Sequence, residues 1–492
     1  HMLSEYQEEL ANGLEKKEAA AVAAHSVFIP CLFTSLTTAL GFLGLLVIRV
    51  GPLREFGMFA SLGTVCAFLV TYSLVPAVLG LLPVPSVRIA AAGATGEGGR
   101  SRLLNAAFSL ASRHRYALVA ASLVLLIGGL AGVPSIRVSA NWYEYLSRGH
   151  PVIRATDFVE ENIGGIYSVE VLVEPVGEAG DEGIKNPRGL AELADMQAAL
   201  ASHPEIDRTL SPVDYVGEMN RAMHSGEDSW RRVPDTREEV AQYLLMYEMD
   251  APDGDMYEFV NFDFSKGRLS VLTRMSAVDK HGEVIEAVRE KAAALGSLKA
   301  TTTGLAVLYN DMEEHMLTGM ARGFLAAFCA VVVVMMILLR SLRHGLLALI
   351  PGILPIAFVL GMTGWLGVAI GTMPVMMGNI VLGIAVDNAI HLLVRYQRHL
   401  RGDCEPVEAI RRAVTVVGRP VLFTAVVLCL GFSVLGFSEI GSARTFGVLT
   451  SFALMGSLVA AVLTVPATVI IMDERFGSRR REAAKGDDAI AA

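Results

Sequence analysis

Eight stretches of this chain are apolar over about 20 residues or more, the length an α-helix needs to cross a bilayer. They lie at roughly 28–48, 55–82, 115–134, 319–339, 345–368, 373–394, 417–437 and 446–472. Inside a bilayer every backbone N–H and C=O must find a partner within the protein, so such a chain is confined to a bundle of spanning helices. A barrel of short alternating strands does not account for runs this long. Composition agrees: 53% of the 492 residues are hydrophobic and 18% charged, with mean hydropathy +0.47, too apolar for a soluble protein of this length.

The sixth stretch, Pro374 to Arg395 (PVMMGNIVLGIAVDNAIHLLVR), carries one carboxylate, Asp387, in its inner half. A charge at that depth is costly, and is rare unless it faces protein, a partner or a water-filled path. Gly383 and Asp387 are spaced i and i+4 and share a helix face. The glycine admits a neighbouring helix, and Gly383 and Asn388 are the expected packing positions around the acid. His391 lies one turn further along the same face. The expected role of Asp387 and His391 is proton relay. The alternative is a structural carboxylate paired with a lysine or a backbone group, but no Lys or Arg lies in the apolar part of any span.

Basic residues set the orientation. Arg113, His114 and Arg115 precede the third span, and Arg340, Arg343 and His344 follow the fourth. Arg395, Arg398, Arg401, Arg411 and Arg412 follow the sixth, and Arg475, Arg479, Arg480 and Arg481 the last. All fall on one side, which is expected to be cytoplasmic. Residues 137–318 then lie outside; they hold 33 acids and 17 bases, a net −16. The acidity of the chain belongs to that segment and gives no footing for nucleic acid. Cys31, Cys66, Cys329, Cys404 and Cys429 all lie outside it, so no disulfide framework is available there.

The sequence repeats at an offset of 390. His1, Tyr6, Gln7 and Leu10 fall on His391, Tyr396, Gln397 and Leu400, and Leu32-Phe33-Thr34 on Leu422-Phe423-Thr424. Leu40-Gly41-Phe42 falls on Leu430-Gly431-Phe432, and Val75-Pro76-Ala77 on Val465-Pro466-Ala467, without a gap. Duplicated halves are common among transporters. In this register the initial His-Met reads as native sequence, and the first-half counterpart of Asp387 falls upstream of His1. The chain is expected to be the C-terminal part of a longer protein, unable to transport by itself.

The expected organisation is 1–82, a cytoplasmic helix and two spans; 83–114, a flexible Gly-, Ala- and Ser-rich linker; 115–136, a span; 137–318, the outer domain; 319–472, five spans; and 473–492, a tail. Pro30 is expected to open a helix, where its missing N–H costs little. The outer domain reads as an α+β domain of split β-α-β type. Its expected strands are Ser168–Glu174, Ile206–Leu210, a hairpin of Tyr257–Asp263 with Leu269–Met275, and Lys299–Thr303. Its expected helices are Arg188–Ser202 opened by Asn186-Pro187, Asp235–Tyr247 started by Asp235, and His281–Leu295. The fold class is therefore an α-helical polytopic membrane protein of about eight spans with an inserted extracytoplasmic α+β domain. No nucleophile elbow, phosphate loop or metal cluster is legible. His203, His224, His281 and His315 are isolated, and no enzyme activity, cofactor or metal is expected.

The Gly383-Ile-Ala-Val-Asp387-Asn-Ala-Ile-His391 run, the repeated Leu-Phe-Thr and Leu-Gly-Phe motifs, and the one-span, outer-domain, five-span order resemble the RND (resistance-nodulation-division) superfamily. The likeness is to its MMPL-type, hydrophobe/amphiphile exporter branch, with a sterol-sensing-domain-like membrane half. That resemblance implies twelve spans and two porter-like outer domains in a complete protein. It also implies inward proton flow through paired acids driving export of lipids or other hydrophobic compounds, with Asp387 as one relay acid. The residue after the acid is often Tyr in this branch and is Asn388 here. The implied partners are protons, a hydrophobic or lipid substrate, membrane lipids, and a homo-oligomer or periplasmic protein, in a bacterial cytoplasmic membrane. A non-transporting lipid sensor or membrane scaffold of the sterol-sensing kind is the alternative.

Overall fold

The computed structural model describes residues 2–81, 99–137, 146, 149–176, 183–250, 255–274, 280–371, 373–400 and 404–475. The chain divides into two compact units, 1–139 with 315–492, and 140–314. It is an α-helical polytopic membrane protein with a small antiparallel sheet. Among the described residues eight helices are long and apolar enough to span a membrane: Lys16–Val47, Gly51–Leu81, Arg115–Ser135, Leu305–Leu339, Leu342–Trp365, Pro374–Leu400, Pro406–Phe437 and Gly441–Arg475. They are called the first to eighth spans below.

The repeat in the sequence is a repeat in space. The helix Lys16–Leu43 ends in a 3₁₀ turn at Gly44–Val47, and Pro406–Ser433 ends in one at Val434–Phe437, 390 positions on. Phe42 meets Phe56 edge-on at 6.0 Å, and Phe432 meets Phe446 edge-on at 5.8 Å. Where the third and fifth spans cross, glycine replaces side chains altogether: a Cβ on Gly361 would lie 2.0 Å from the Gly129 carbonyl oxygen, and one on Gly364 2.0 Å from that of Gly132. Such backbone contact is how helices associate where lipid removes the hydrophobic drive.

Two expectations about the membrane unit are corrected. Pro30 does not open a helix but lies inside Lys16–Leu43. Its missing N–H leaves the Ser26 carbonyl without a helical donor, and the Arg398 guanidinium donates to that oxygen at 3.4 Å. The linker is not wholly irregular, since Gly99–Arg113 is a helix. Its Leu104, Phe108 and Ala111, at helical spacing, are buried, and Leu104 packs over Gly418 of the seventh span. Residues 82–98 and 476–492 lie outside the described residues.

In the unit 140–314, α1 (Pro151–Asn162) precedes β1 (Tyr167–Pro175), α2 (Pro187–Leu200), β2 (Ile206–Leu210), α3 (Pro212–Met223), α4 (Arg237–Asp250), β3 (Gly267–Thr273), α5 (His281–Ala293) and β4 (Leu298–Thr303). The strand order is β2-β3-β1-β4, with antiparallel pairing throughout. One sheet face, with Val169, Val171, Val173, Leu269 and Val271, packs in a core with Leu190 and Leu193 of α2 and Val284 and Val288 of α5. Asn186 caps α2 by accepting from the Arg188 and Gly189 N–H groups, with Pro187 at the first helical position.

The expected hairpin is shortened. Asp255–Glu258 is a 3₁₀ turn, and pairing with the start of β3 is confined to the Val260–Gly267 bridge, with Arg268 N–H donating to the Phe259 carbonyl at 2.8 Å and Asn261 N–H to the Lys266 carbonyl at 3.1 Å. Asn261 accounts for this: its Oδ1 accepts from Lys266 N–H at 2.7 Å while its Nδ2 donates to Ser265 at 2.8 Å, drawing the segment into a side-chain-held turn. Thr236, not Asp235, accepts from the Glu239 N–H at the start of α4. Helix α3 escaped the sequence pattern; it is set by Ser211 and Asp214 in a capping box.

Candidate functional site

The sixth span is buried nearly all round from Met377 to Tyr396, as befits a helix in the middle of a bundle. Asn379, Gly383, Asp387, His391 and Arg395 follow one another at four-residue steps along it. The first span lies against this ridge. A Cβ on Gly383 would sit 2.9 Å from Thr38 Cα, and one on Gly41 2.7 Å from the Asn379 carbonyl oxygen. The two backbones approach this closely because both helices carry glycine at the crossing. Thr38 donates its hydroxyl to the Gly383 carbonyl at 3.3 Å.

That approach delivers Thr37 to Asp387. The Thr37 hydroxyl lies 3.5 Å from Asp387 Oδ1 and 2.9 Å from the Thr34 carbonyl. Among the described residues Thr37 is the hydrogen-bond partner of Asp387, and no Lys, Arg or His forms an ion pair with it. Asp387, Asn388 and His391 are half-buried. Gly383 packs as described, whereas Asn388 makes no hydrogen bond among the described residues.

Sequence reasoning missed Thr37 and Thr38, although the repeat held the signal. At 390 positions further on they fall on Val427 and Leu428, so the polarity appears in one half only.

Within the α+β unit an open groove of about 1160 Å³ is lined by Arg188, Arg208, Tyr215, Glu218, Arg231 and Tyr247 among others. Glu218 accepts from Arg221 and Arg231, which hold its carboxyl down at about 2. Glu192, despite burial, is lowered by hydrogen bonds from the Ser297 and Gly296 N–H groups. His281 stacks on Tyr167 at 4.4 Å and His224 on Trp230 at 3.8 Å. Among the described residues no three His, Cys, Asp or Glu side chains converge as a metal site.

The profile of the MMPL family matches residues 2–104 and 194–486. The chain belongs to the MMPL family. This MMPL chain is 21% identical to putative membrane protein MJ1562 of Methanocaldococcus jannaschii over 376 residues, 74% of the chain and 93% of that protein. It is 20% identical to membrane protein YdfJ of Bacillus subtilis over 487 residues, 96% of the chain and 60% of that protein. It is 23% identical to the sulfolipid-1 exporter MmpL8 of Mycobacterium tuberculosis over 193 residues, 38% of the chain and 17% of that protein. The matched part of the MMPL chain thus spans under a fifth of MmpL8.

Proposed function

We propose that this MMPL chain belongs to a proton-coupled exporter of lipids or other hydrophobic or amphiphilic compounds, with Asp387 as the proton carrier. The observation that carries the reading is a carboxylate in the most enclosed span whose hydrogen-bond partner is a hydroxyl, not a cation. An unpaired carboxylate at membrane depth is neutralised far more cheaply than it is kept charged. Protonation therefore changes the cost of burying this helix, which is enough to bias two packings of it against the first span. Gly383 and Gly41 give such a shift room to be read at once by the neighbouring backbone. The name of MmpL8 supports a lipidic cargo, and the bases between spans support a cytoplasmic membrane with residues 137–318 outside.

The test is proton-coupled efflux of a fluorescent amphiphile from proteoliposomes containing the complete gene product that carries this chain. Asp387→Asn keeps the shape and the hydrogen bonding but carries no proton. Transport is expected to vanish while yield and thermal stability hold. Undiminished transport would remove the proton carrier and favour a lipid-sensing scaffold.

A further inference from the structure

The repeat brings two copies of one four-residue motif together with opposite charges. Residues 5–8 read Glu-Tyr-Gln-Glu, and residues 395–398, at the same register 390 positions on, read Arg-Tyr-Gln-Arg. The shared tyrosines stay within their own halves. Tyr6 donates to the Leu79 carbonyl of the second span at 3.4 Å, and Tyr396 to Asp473 of the eighth, which occupies the second span's place in the other half. The charged positions reach across. Arg395 pairs with Glu5 at 3.5 Å and with Glu8 at 3.4 Å. Glu5 also accepts from the Ser26 hydroxyl at 3.0 Å, and Arg398 donates to the Ser26 carbonyl that Pro30 leaves unpaired. Helix Met2–Ala11, the first span and the sixth span thus close on Ser26. The side chains of Arg395 and Glu5 are 17% and 15% exposed and that of Glu8 47%, so the Arg395–Glu5 contact is the one largely withdrawn from water. Four consecutive residues of the sixth span hold four different elements, since Gln397 donates to the Leu339 carbonyl at 3.1 Å. Steps of 100° send neighbouring side chains to different sides of a helix.

We propose that the two motif copies form a charge-coded clasp. It holds the sixth span to the first-half helices at a point two turns below Asp387. The Arg395 guanidinium fits a helix end carrying acids at i and i+3, here Glu5 and Glu8, while Arg398 holds the first span beside it through the Ser26 carbonyl. It repels a second Arg-Tyr-Gln-Arg end, so it excludes the like-with-like pairing that duplicated halves otherwise permit. The inference uses no transport activity and stands apart from the proton-carrier reading.

The experiment is a charge-exchange cycle on the full chain in detergent, read by thermal unfolding. Arg395→Glu sets three acids together, and Glu5→Arg with Glu8→Arg sets bases against Arg395. Each set is expected to lower the midpoint by several degrees. The triple exchange is expected to recover at least half of the summed loss. Arg395→Gln, which adds no repulsion, is expected to fall between wild type and Arg395→Glu. If Arg395→Glu cannot be purified, recovery of folded yield in the triple exchange supports the clasp in place of the midpoint. A triple exchange that loses the full sum or yields no more than its parents, or an Arg395→Glu midpoint equal to wild type, overturns it.

Discussion

A threonine hydroxyl has one proton to give, and Thr37 has two acceptors in reach. The Thr34 carbonyl at 2.9 Å is the better one, and Asp387 at 3.5 Å is at the limit of a hydrogen bond. With Thr37 committed to Thr34, a protonated Asp387 can donate to the Thr37 oxygen. An ionised Asp387 requires the hydroxyl to turn away from its own helix. The pair therefore has two hydrogen-bond states that differ by the proton on the acid. Thr37→Val removes both states without adding bulk. It is expected to slow proton-coupled transport roughly two- to tenfold, as loss of a hydrogen bond of about 0.5–1.5 kcal/mol implies. His391→Ala, one turn along the ridge, is expected to slow transport without stopping it. Initial rates at matched protein in proteoliposomes check both; unaltered rates in Thr37→Val would show that the hydroxyl plays no part.

At the scale of elements, two carboxylates of the α+β unit gain partners in their ionised form: Glu218 of α3 and Glu192 of α2. Arg221 and Arg231 hold Glu218 at about 2, below the 4.5 of a free side chain. A depressed folded value means that the stabilisation is fully present above the unfolded value. It is lost as pH falls through the window from 4.5 towards 2. Glu192 is shifted the same way, so its contribution fades with the same sign. Glu218→Gln is therefore expected to flatten the acid limb of the unfolding curve in that window and to leave the curve above pH 6 nearly parallel to wild type. The emission of Trp230, beside Arg231, reports the transition. An acid limb identical in Glu218→Gln would show that the two arginines do not couple to it. The sequence made the spans, the repeat and all four strands legible, because apolar runs and alternation record burial directly, while of the expected hairpin's first strand only a bridge at Val260 remains. It concealed Pro30 inside a helix, because the rescue of the Ser26 carbonyl comes from Arg398, 372 positions away. It concealed how short the pairing before β3 is, because the Asn261 side chain bonds Lys266 and Ser265 beside the backbone bonds and closes the turn there. At the site, the acid and its glycine were readable from spacing, whereas Thr37 depended on which helix crosses it.

For the whole molecule, charge divides the sequence into a basic and an acidic side. Residues 137–318 carry the net −16, and the bases gather where the third span begins and the fourth, sixth and eighth spans end. In the proposed orientation, which follows the positive-inside rule, the sixth-to-seventh connection, with half-buried Cys404, is expected in the cytoplasm and the turn at Ser265 outside. The other four cysteines lie in spans and can be replaced by alanine or serine. A variant retaining Cys404 alone is expected to react with a membrane-impermeant maleimide only after the cells are permeabilised. A variant lacking all five native cysteines but carrying Ser265→Cys is expected to react in intact spheroplasts. Ser265 suits the purpose because it is exposed in a turn whose hydrogen bonds come mainly from Asp263 and Asn261. Labelling of Cys404 in intact spheroplasts, with Ser265→Cys protected, would invert the chain in the membrane. The proposed path of protons to Asp387 would then have to open from the opposite face.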